Sequence, residues 1–466
     1  MLRSHSPCVS VRARRLRGAG RARTREWTAM SVAPSSAPES PRDEPAEANG
    51  GRGPRLPFAG RAGELRTFES LGDRNFRWFF ISTLGQFGGI QTQMLAMGFI
   101  VYELTGSPGR LGLVALVNAI PSLAFSLYGG MLADRVPRRL VLQVGQTFQA
   151  LLAGIVAALL FLGVLRYEHL IVIVFFQGAG MSLMMPARQA MIHEIAGEER
   201  LMNAISLGAA GMTTMRLIAP AIGGALLVIA NSAWLYSAVV VYYVIAIGAI
   251  VPMRLAHPHA ASAPARDAQG WAGVRDGIRY TMQQPAILQV LAVNLLIVCA
   301  SMPWMFLLPG WVEDVLGLGG FHLGLLLSVM GIGSLFGSLV IASLPPRHRG
   351  LLYLLSAVLL ASGVLAFTAF EAFWIAALLT AVIGVGHAGR MSLSTVLLQT
   401  YVAAEYRGRV LSIYMMEFGL VALGVFAVGA IAEVVGLQVA IGGAAAFLLV
   451  VALALFPAFP TLRRLQ

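Results

Sequence analysis

Three charged side chains stand inside long apolar stretches of this sequence, where a charge has chemical consequences. They are Arg216, Arg390 and Glu417. A charge inside a segment of membrane length is costly and usually marks function. We interpret Glu417 as a candidate proton carrier. We interpret Arg216 as a candidate sensor of a substrate or of the coupling charge.

Arg390 and Glu417 stand at similar depth in neighbouring apolar stretches. Each lies about eight to ten residues from the same end of its stretch, and a helix rises 1.5 Å per residue. The two side chains are therefore close enough in depth to pair. A static Arg390–Glu417 ion pair and a titrating Glu417 remain alternative hypotheses.

The elements that must position these charges are predicted to be transmembrane helices. Hydrophobic residues make up 57% of the 466 residues and charged residues 12%, whereas soluble domains carry about 25% charged residues. Each of twelve apolar runs is long enough to cross a bilayer, which needs about 20 residues. Backbone groups in lipid must be paired within the segment, so the runs are predicted to be helices. They lie near Phe79–Glu103, Arg110–Ala133, Leu140–Val164, His169–Ile192, Asn203–Ala230, Ala233–Met253, Ile287–Val312, Leu323–Leu344, Leu351–Phe370, Phe373–Gln399, Val410–Val434 and Leu437–Phe456.

The twelve predicted helices fall into two groups of six. We expect a disordered tail over residues 1–70, basic at first and then rich in Pro, Ser and Ala. A first six-helix half follows over 71–254, then a linker over 255–284 with an amphipathic segment near Trp271–Met282, then a second half over 285–466. The tail contains a second methionine, Met30, and we expect translation to begin there. The alternative for the Arg-rich residues 1–29 is a transit peptide.

The distribution of arginine predicts the topology. Alternate gaps between the predicted helices hold Arg135, Arg138, Arg139, Arg188, Arg200, Arg254, Arg266, Arg275, Arg279, Arg347, Arg349, Arg407 and Arg409. The other gaps hold Arg110 and Arg166. Basic loops stay in the cytoplasm, so we expect both termini to be cytoplasmic in an inner or plasma membrane.

The residue inventory excludes several chemistries. All 34 basic residues counted as Lys plus Arg are arginine. A GxxxxGK[ST] phosphate loop and a lysine Schiff base are therefore impossible, and we expect no ATP binding by this chain. The two cysteines and eight histidines lack metal-site spacing, and no nucleophile–base pair stands out. We expect no enzyme, metal or cofactor. The net charge of +12 owes much to the tail, so it does not indicate a nucleic-acid partner.

Several short motifs carry a family resemblance. They are Gly129-Gly-Met-Leu-Ala-Asp-Arg-Val-Pro-Arg-Arg139 between helices 2 and 3, Val101-Tyr-Glu-Leu-Thr-Gly-Ser-Pro108, Pro186-Ala-Arg-Gln-Ala190, Gly277-Ile-Arg-Tyr280 and Arg407-Gly-Arg-Val-Leu-Ser-Ile-Tyr414. In this order they resemble the major facilitator superfamily from Phe76 to Phe456. The resemblance is closest to its transmembrane secretion effectors, a branch of drug and siderophore (enterobactin-type) exporters. It implies an all-α integral membrane protein with twelve transmembrane helices in two six-helix halves.

The resemblance also implies roles for particular residues. Asp134 matches the acid that fastens the cytoplasmic gate in the family, and we expect Arg407 and Arg409 to be its partners. The gate would also include Arg135, Arg138 and Arg139, although these arginines are equally explained as topological anchors. Pro220, Gly223 and Gly224 on helix 5 resemble the end of a motif associated with antiporters. Their alternative is a packing seam, which an importer would also have.

Four amides are candidates for the lining of a central cavity. They are Gln86, Gln93, Asn118 and Asn294. Gln86 and Gln93 are seven residues apart and therefore share a face of helix 1. The alternative for each amide is a hydrogen bond between helices.

The predicted function is secondary active transport by alternating access. We expect export of small lipophilic or amphipathic molecules, with drugs and siderophores as examples, coupled to proton antiport. The partners are then a small-molecule substrate, protons and the lipid bilayer. Two alternatives stay open: an importer of a siderophore or other small solute, and a non-transporting membrane scaffold.

Overall fold

A computed structural model of the chain describes residues 66–253, 271–345, 347–403, 405–463 and 465. The predicted tail up to residue 65 and the first part of the linker, 254–270, lie outside the described residues. Within the described part, the regular elements are helices, which confirms the predicted all-α class. The membrane helices are α1 (Arg74–Thr105), α2 (Pro108–Arg135), α3 (Arg138–Phe161), α4 (Tyr167–Gly197), α5 (Arg200–Ile229), α6 (Ser232–Ile250), α7 (Pro285–Asp314), α8 (Gly320–Ser343), α9 (Arg349–Ala369), α10 (Phe373–Tyr401), α11 (Arg407–Val435) and α12 (Leu437–Ala458).

Eleven of these helices, counted over the described residues, are long and apolar enough to cross a membrane. The remaining one is α1, which has 32 residues but contains Gln86, Gln91 and Gln93. These glutamines lower its mean hydropathy, while α1 packs against α5 and α6 like the other spans. The structure therefore has the twelve long helices that the sequence predicts.

The connection between α4 and α5 differs from the prediction. The apolar runs predict a loop between Ile192 and Asn203, but the chain stays helical through this region and breaks only at Gly197, where φ is +63°. Glycine adopts positive φ at little cost because it has no Cβ. Arg188, which the sequence analysis counted among the arginines of the gaps although the predicted run reaches Ile192, is a residue of α4.

The helices form two groups of six. In the first group α2 packs on α4, α1 on α6 and α3 on α6; in the second α8 and α9 pack on α10, and α7 on α11. The two halves meet along α2 against α11 and along α5 against α8. These two pairs of helices form most of the interface that any movement of one half against the other must change, and α1 also contacts α7.

Both described termini lie at one end of the bundle. A 3-10 helix, Arg66–Gly72, docks where α5 begins, because the Ser70 N–H donates to Asn203 Oδ1 at 3.0 Å. Its first five residues belong to the stretch predicted to be disordered, so order begins earlier than expected. At the other terminus, the Gly350 N–H donates to the Leu465 carbonyl at 3.1 Å. We call this the termini-side end, and the opposite end the far end.

The amphipathic segment of the linker forms a helix, Trp271–Gln283, which we call the linker helix. It packs against the start of α11 on the termini-side end. The Tyr280 ring stacks on Tyr406 with 4.1 Å between centroids, and the Tyr280 hydroxyl accepts from the Ala403 N–H at 3.2 Å. The linker helix is therefore attached to the second half.

Candidate functional site

The second half contains a buried polar triad made by Arg390, Asn294 and Glu417. Arg390 Nη1 on α10 donates to Asn294 Oδ1 on α7 at 2.7 Å. The other end of the same amide, Asn294 Nδ2, donates to Glu417 Oε2 on α11. The three residues are 1%, 2% and 5% exposed. The sequence predicted a similar depth for Arg390 and Glu417. The structure links them through Asn294 rather than by a direct ion pair.

The triad places the Glu417 carboxylate where its charge state matters. Burial and the nearby Arg390 charge act in opposite senses on a carboxylate. Tyr353 and Cys299 also lie within electrostatic reach of Glu417. Binding or release of a proton at Glu417 would change the charge of a cluster that joins α7, α10 and α11. A change in the charge of Glu417 would therefore act on the packing of three helices.

The first half contains its own buried cation, Arg188 on α4, which is 4% exposed. Its Nη1 donates to Thr83 Oγ1 at 2.5 Å, and its Nη2 donates to Gln86 Oε1. Gln146 Nε2 on α3 donates to the same Gln86 oxygen at 3.2 Å. No carboxylate in the described part of the chain pairs with Arg188. The guanidinium is instead solvated by neutral polar groups of α1.

Arg188 is a residue that the sequence reasoning missed. Its guanidinium also lies over the rings of Phe79 and Phe87, at 5.2 and 5.8 Å from the centroids. A signal was present, because Met184, Ala187 and Met191 recur at helical spacing and are buried on the face that carries Arg188. These residues lie within the run predicted to end at Ile192, so the buried face that carries Arg188 was visible in the sequence.

Arg216 on α5 differs from the other two intramembrane arginines. Its side chain is part-exposed, and it makes no hydrogen bond or ion pair with another described residue. Pro220 and Gly224 follow one and two turns later on the same face, and both contact α8. His387 on α10 lies within electrostatic reach of the Arg216 charge. Arg216 therefore faces the second half.

The four amides predicted to line a cavity all make hydrogen bonds between helices. Beyond Gln86 and Asn294, Gln93 Oε1 accepts from the Tyr243 hydroxyl at 3.3 Å. Asn118 Nδ2 donates to the Val174 carbonyl at 3.2 Å. These contacts agree with the alternative interpretation of the four amides. The Nε2 groups of Gln86 and Gln93 are buried and have no hydrogen-bond partner among the described residues.

The antiporter-like sequence of α5 lies at the contact between the halves. A Cβ placed on Gly324 of α8 would stand 2.4 Å from the Pro220 carbonyl oxygen and 2.8 Å from Gly224 Cα. Small residues permit this approach of two backbones. Gly223 faces the opposite way, since its Cβ would meet Leu95 and Leu235 inside the first half. Pro220 and Gly224 thus form a seam between the halves, whereas Gly223 packs within one.

The second contact between the halves, α2 against α11, is equally close. A Cβ on Gly429 would stand 2.7 Å from the Pro108 carbonyl oxygen, and one on Gly112 would stand 2.9 Å from Phe426 Cα. Pro108 begins α2, so this contact lies toward the far end. Both seams therefore bring the halves together there.

Two polar links also join the halves at the far end, and neither was predicted. The Tyr102 hydroxyl at the end of α1 donates to Asp314 at the end of α7. Glu433 on α11 accepts from the Ser107 hydroxyl and, at 3.0 Å, from the Gly109 N–H at the start of α2. A carboxylate at a helix N-terminus is stabilised by the unpaired N–H groups. These links fasten the two halves to each other at the far end.

The predicted gate on the termini-side end is only partly described. The side chains of Asp134 and Arg135 lie outside the described residues. Arg138 Nη1 lies 3.2 Å from Glu194 Oε2 on α4. Arg139 donates to the Met253 and Val251 carbonyls at 2.9 and 2.7 Å. Arg138 and Arg139 therefore link α3 to α4 and α6 within the first half, and they do not reach the second half through these contacts.

The predicted partners of Asp134 lie at the start of α11. The Arg407 side chain is exposed. Arg409 Nη1 lies 3.9 Å from Asp276 Oδ2 of the linker helix, and its guanidinium lies over the Tyr406 ring, 5.3 Å from the centroid. Arg409 thus contacts the linker helix as well as its own helix.

The sequence profile of one family matches residues 66–464, nearly all of the described chain. The description of that family is "transmembrane secretion effector". The chain belongs to this family. Its relatives are transporters of the major facilitator superfamily. The family and the fold are thus those of membrane transporters rather than enzymes.

Relatives and solved structures agree with the family. The staphyloferrin A transporter of Staphylococcus aureus is 23% identical over 364 residues, covering 78% of this chain and 90% of that protein. The multidrug efflux pump Tap of Mycolicibacterium fortuitum is 26% identical over 378 residues, covering 77% and 89%. A mutant of the nucleoside transporter NupG superposes with a TM-score of 0.66 at 14% identity, covering 82% of this chain and 99% of that one. A bacterial homologue of the lysosomal transporter Spinster gives 0.65 at 13% identity, covering 86% and 98%.

Proposed function

We propose that this secretion effector exports small lipophilic or amphipathic molecules by alternating access, driven by protons moving the other way. The observation that carries the proposal is the way the halves meet. Two glycine seams and two polar links join them at the far end, and each half keeps its own buried polar cluster. Such contacts can break while both halves stay folded, as rocking of one half against the other requires.

The far end is proposed to face outward, with both termini in the cytoplasm of an inner- or plasma-membrane protein. The concentration of arginine at the termini-side loops supports this orientation. The structure would then represent the state closed to the outside. Opening it would break the link of Tyr102 to Asp314, and closure of the other side would bring Asp134 toward Arg407 and Arg409.

Glu417 is the proposed proton carrier. It is the buried carboxylate of the triad, and its oxygen is held by Asn294, which also bonds Arg390. A proton on Glu417 removes the negative charge from the triad and weakens the attraction that draws α10 and α11 together through Asn294. This step would link proton uptake to the opening of the halves.

The name of the Tap efflux pump supports export as the direction of transport. The names of the two relatives support drugs and siderophores as the transported molecules. The test is the accumulation of a panel of dyes and hydrophobic drugs in host cells that lack or overproduce the protein, with and without a protonophore. We expect overproduction to lower the accumulation of at least one compound, and the protonophore to abolish that effect. A rise in accumulation on overproduction would instead indicate an importer.

A matched pair of variants separates coupling from folding. Glu417→Gln keeps the size and the acceptor oxygen for Asn294 but cannot carry a proton, so it should abolish the protonophore-sensitive part of the effect. Glu371→Gln changes an exposed carboxylate at the far end and should leave export unchanged. Proton-dependent export that persists in both Glu417→Gln and Asp134→Asn would contradict the assigned mechanism.

A further inference from the structure

The charges inside the membrane helices are unbalanced. Among the described side chains well inside the spans there are three guanidinium groups, those of Arg188, Arg216 and Arg390, against the one carboxylate of Glu417. An uncompensated charge in a low-dielectric region is costly unless a partner or a ligand neutralises it. The excess of positive charge therefore calls for an anion.

Two of the three cations already have polar partners. Arg188 is held by Thr83 and Gln86, and Arg390 is held by Asn294. Arg216 has no hydrogen-bond or ion-pair partner within the described part of the chain. Its planar fork of donors matches the geometry of a carboxylate, sulfonate or phosphate group. Arg216 is therefore the cation with donors left for a ligand.

The position of Arg216 also suits a transported molecule. Leu217, the next residue, packs against α8, because a Cβ on Gly331 would stand 3.2 Å from Leu217 Cα. Arg216 lies one turn before Pro220, on the termini-side edge of the seam where α5 and α8 are closest. His387 of the second half is within electrostatic reach. A group bound at Arg216 would thus sit between the halves and sense their separation.

We infer that Arg216 binds an anionic group of the substrate, so that the transported class is amphipathic organic anions. This inference rests on the proposed transport function and specifies its substrate class. The anion neutralises a charge at the contact between the halves. Its binding would therefore change the preferred separation of α5 and α8 relative to that in the empty protein. Cations and neutral molecules would lack this interaction.

Binding of two dyes on a common xanthene scaffold tests the inference without requiring transport. Fluorescein is anionic and rhodamine 123 is cationic. The full chain in lipid nanodiscs is titrated against each dye by fluorescence polarisation. We expect fluorescein to bind more tightly, and Arg216→Gln to weaken fluorescein about 10- to 100-fold, the usual effect of losing a hydrogen bond to a charged group. The same change should not weaken rhodamine 123.

Two further variants keep the result interpretable. Arg216→Lys retains the charge without the planar fork and should keep part of the fluorescein binding. Arg347→Gln removes an exposed arginine and should have no effect. The inference would be overturned if the protein bound rhodamine 123 alone or neither dye. It would also be overturned if Arg216→Gln left fluorescein binding unchanged, or if Arg216→Gln and Arg216→Lys weakened fluorescein binding equally. Arg216-dependent binding without movement of fluorescein into vesicles would support the inference and contradict the transport function. Transport of rhodamine 123 into vesicles that is unchanged in Arg216→Gln would support the transport function and contradict the inference.

Discussion

Replacement of Gly324 by alanine should open the far end of the transporter. The added methyl group would lie 2.4 Å from the Pro220 carbonyl oxygen and 2.8 Å from Gly224 Cα, and both are backbone atoms of the other half. Neither can rotate away as a flexible side chain would. The strain exists only while α5 and α8 are in contact, so it disfavours the state in which the far end is closed.

The structure sets the size of the effect. Ordinary contacts of a Cβ begin near 3.4 Å, so the two helices must separate by about 1 Å for the methyl group to fit. Overpacking of this kind costs about 1–3 kcal/mol. A shift of that size changes the ratio of closed to open states by about 5- to 150-fold. The gain in helix propensity, about 1 kcal/mol, is the same in both states and does not change the ratio.

The distance between the halves can be measured with spin labels at the far end. Leu162 follows α3 and Ala372 precedes α10, and both are exposed. Cysteines at these two positions, in a chain whose Cys8 and Cys299 are replaced by serine, would carry the labels. Double electron–electron resonance should show a longer distance, or a larger long-distance population, in Gly324→Ala.

Gly248→Ala is the matched control, because a Cβ at Gly248 of α6 would meet no atom within 4 Å. It should leave the distance distribution unchanged. If Gly324→Ala also leaves the distribution unchanged, the seam is not a determinant of far-end closure. The reasoning would then be refuted.

Two other predictions concern the buried triad and the far-end link. Asn294→Leu should lower the free energy of unfolding by about 3–5 kcal/mol, because it leaves Arg390 and Glu417 buried without the amide that bridges them. Thermal unfolding in detergent measures this change. An unchanged midpoint would show that the bridge does not contribute to stability. Tyr102→Phe should weaken far-end closure by about 1.5–3 kcal/mol, since it removes a hydrogen bond to the Asp314 carboxylate. The same spin-label pair reports it, and adding Asp314→Asn to Tyr102→Phe should cause little further change if the two residues act through one contact.

The sequence was sufficient for the fold because the bilayer constrains it strongly. Membrane thickness sets the length of each apolar run, and the absence of water requires helices, so twelve spans could be counted. The rise of 1.5 Å per residue also predicted a common depth for Arg390 and Glu417. The end of α4 was wrong because the apolar run stops at Ile192, whereas Ile195 and Ala196 still pack against the buried cluster and the helix continues to Gly197.

The partners of the site residues were not predictable in the same way. Asn294 bridges residues that lie 96 and 123 positions away, and Glu433 bonds Ser107 across 326 positions. Such pairs depend on how helices from different parts of the chain pack, which periodicity within one helix does not encode. The seam of Pro220 and Gly224 was recognisable as a seam, but its partner on α8 required the structure.

Uptake by inverted membrane vesicles tests the central claim, proton-driven export, most directly. The interior of such vesicles corresponds to the cell exterior, so an acidic interior should drive accumulation of a substrate found in the cellular panel. We predict that collapse of the gradient by a protonophore abolishes this accumulation, and that Glu417→Gln vesicles show none of the gradient-dependent part. Accumulation that is independent of the gradient, or gradient-driven accumulation that persists in Glu417→Gln, would contradict the account.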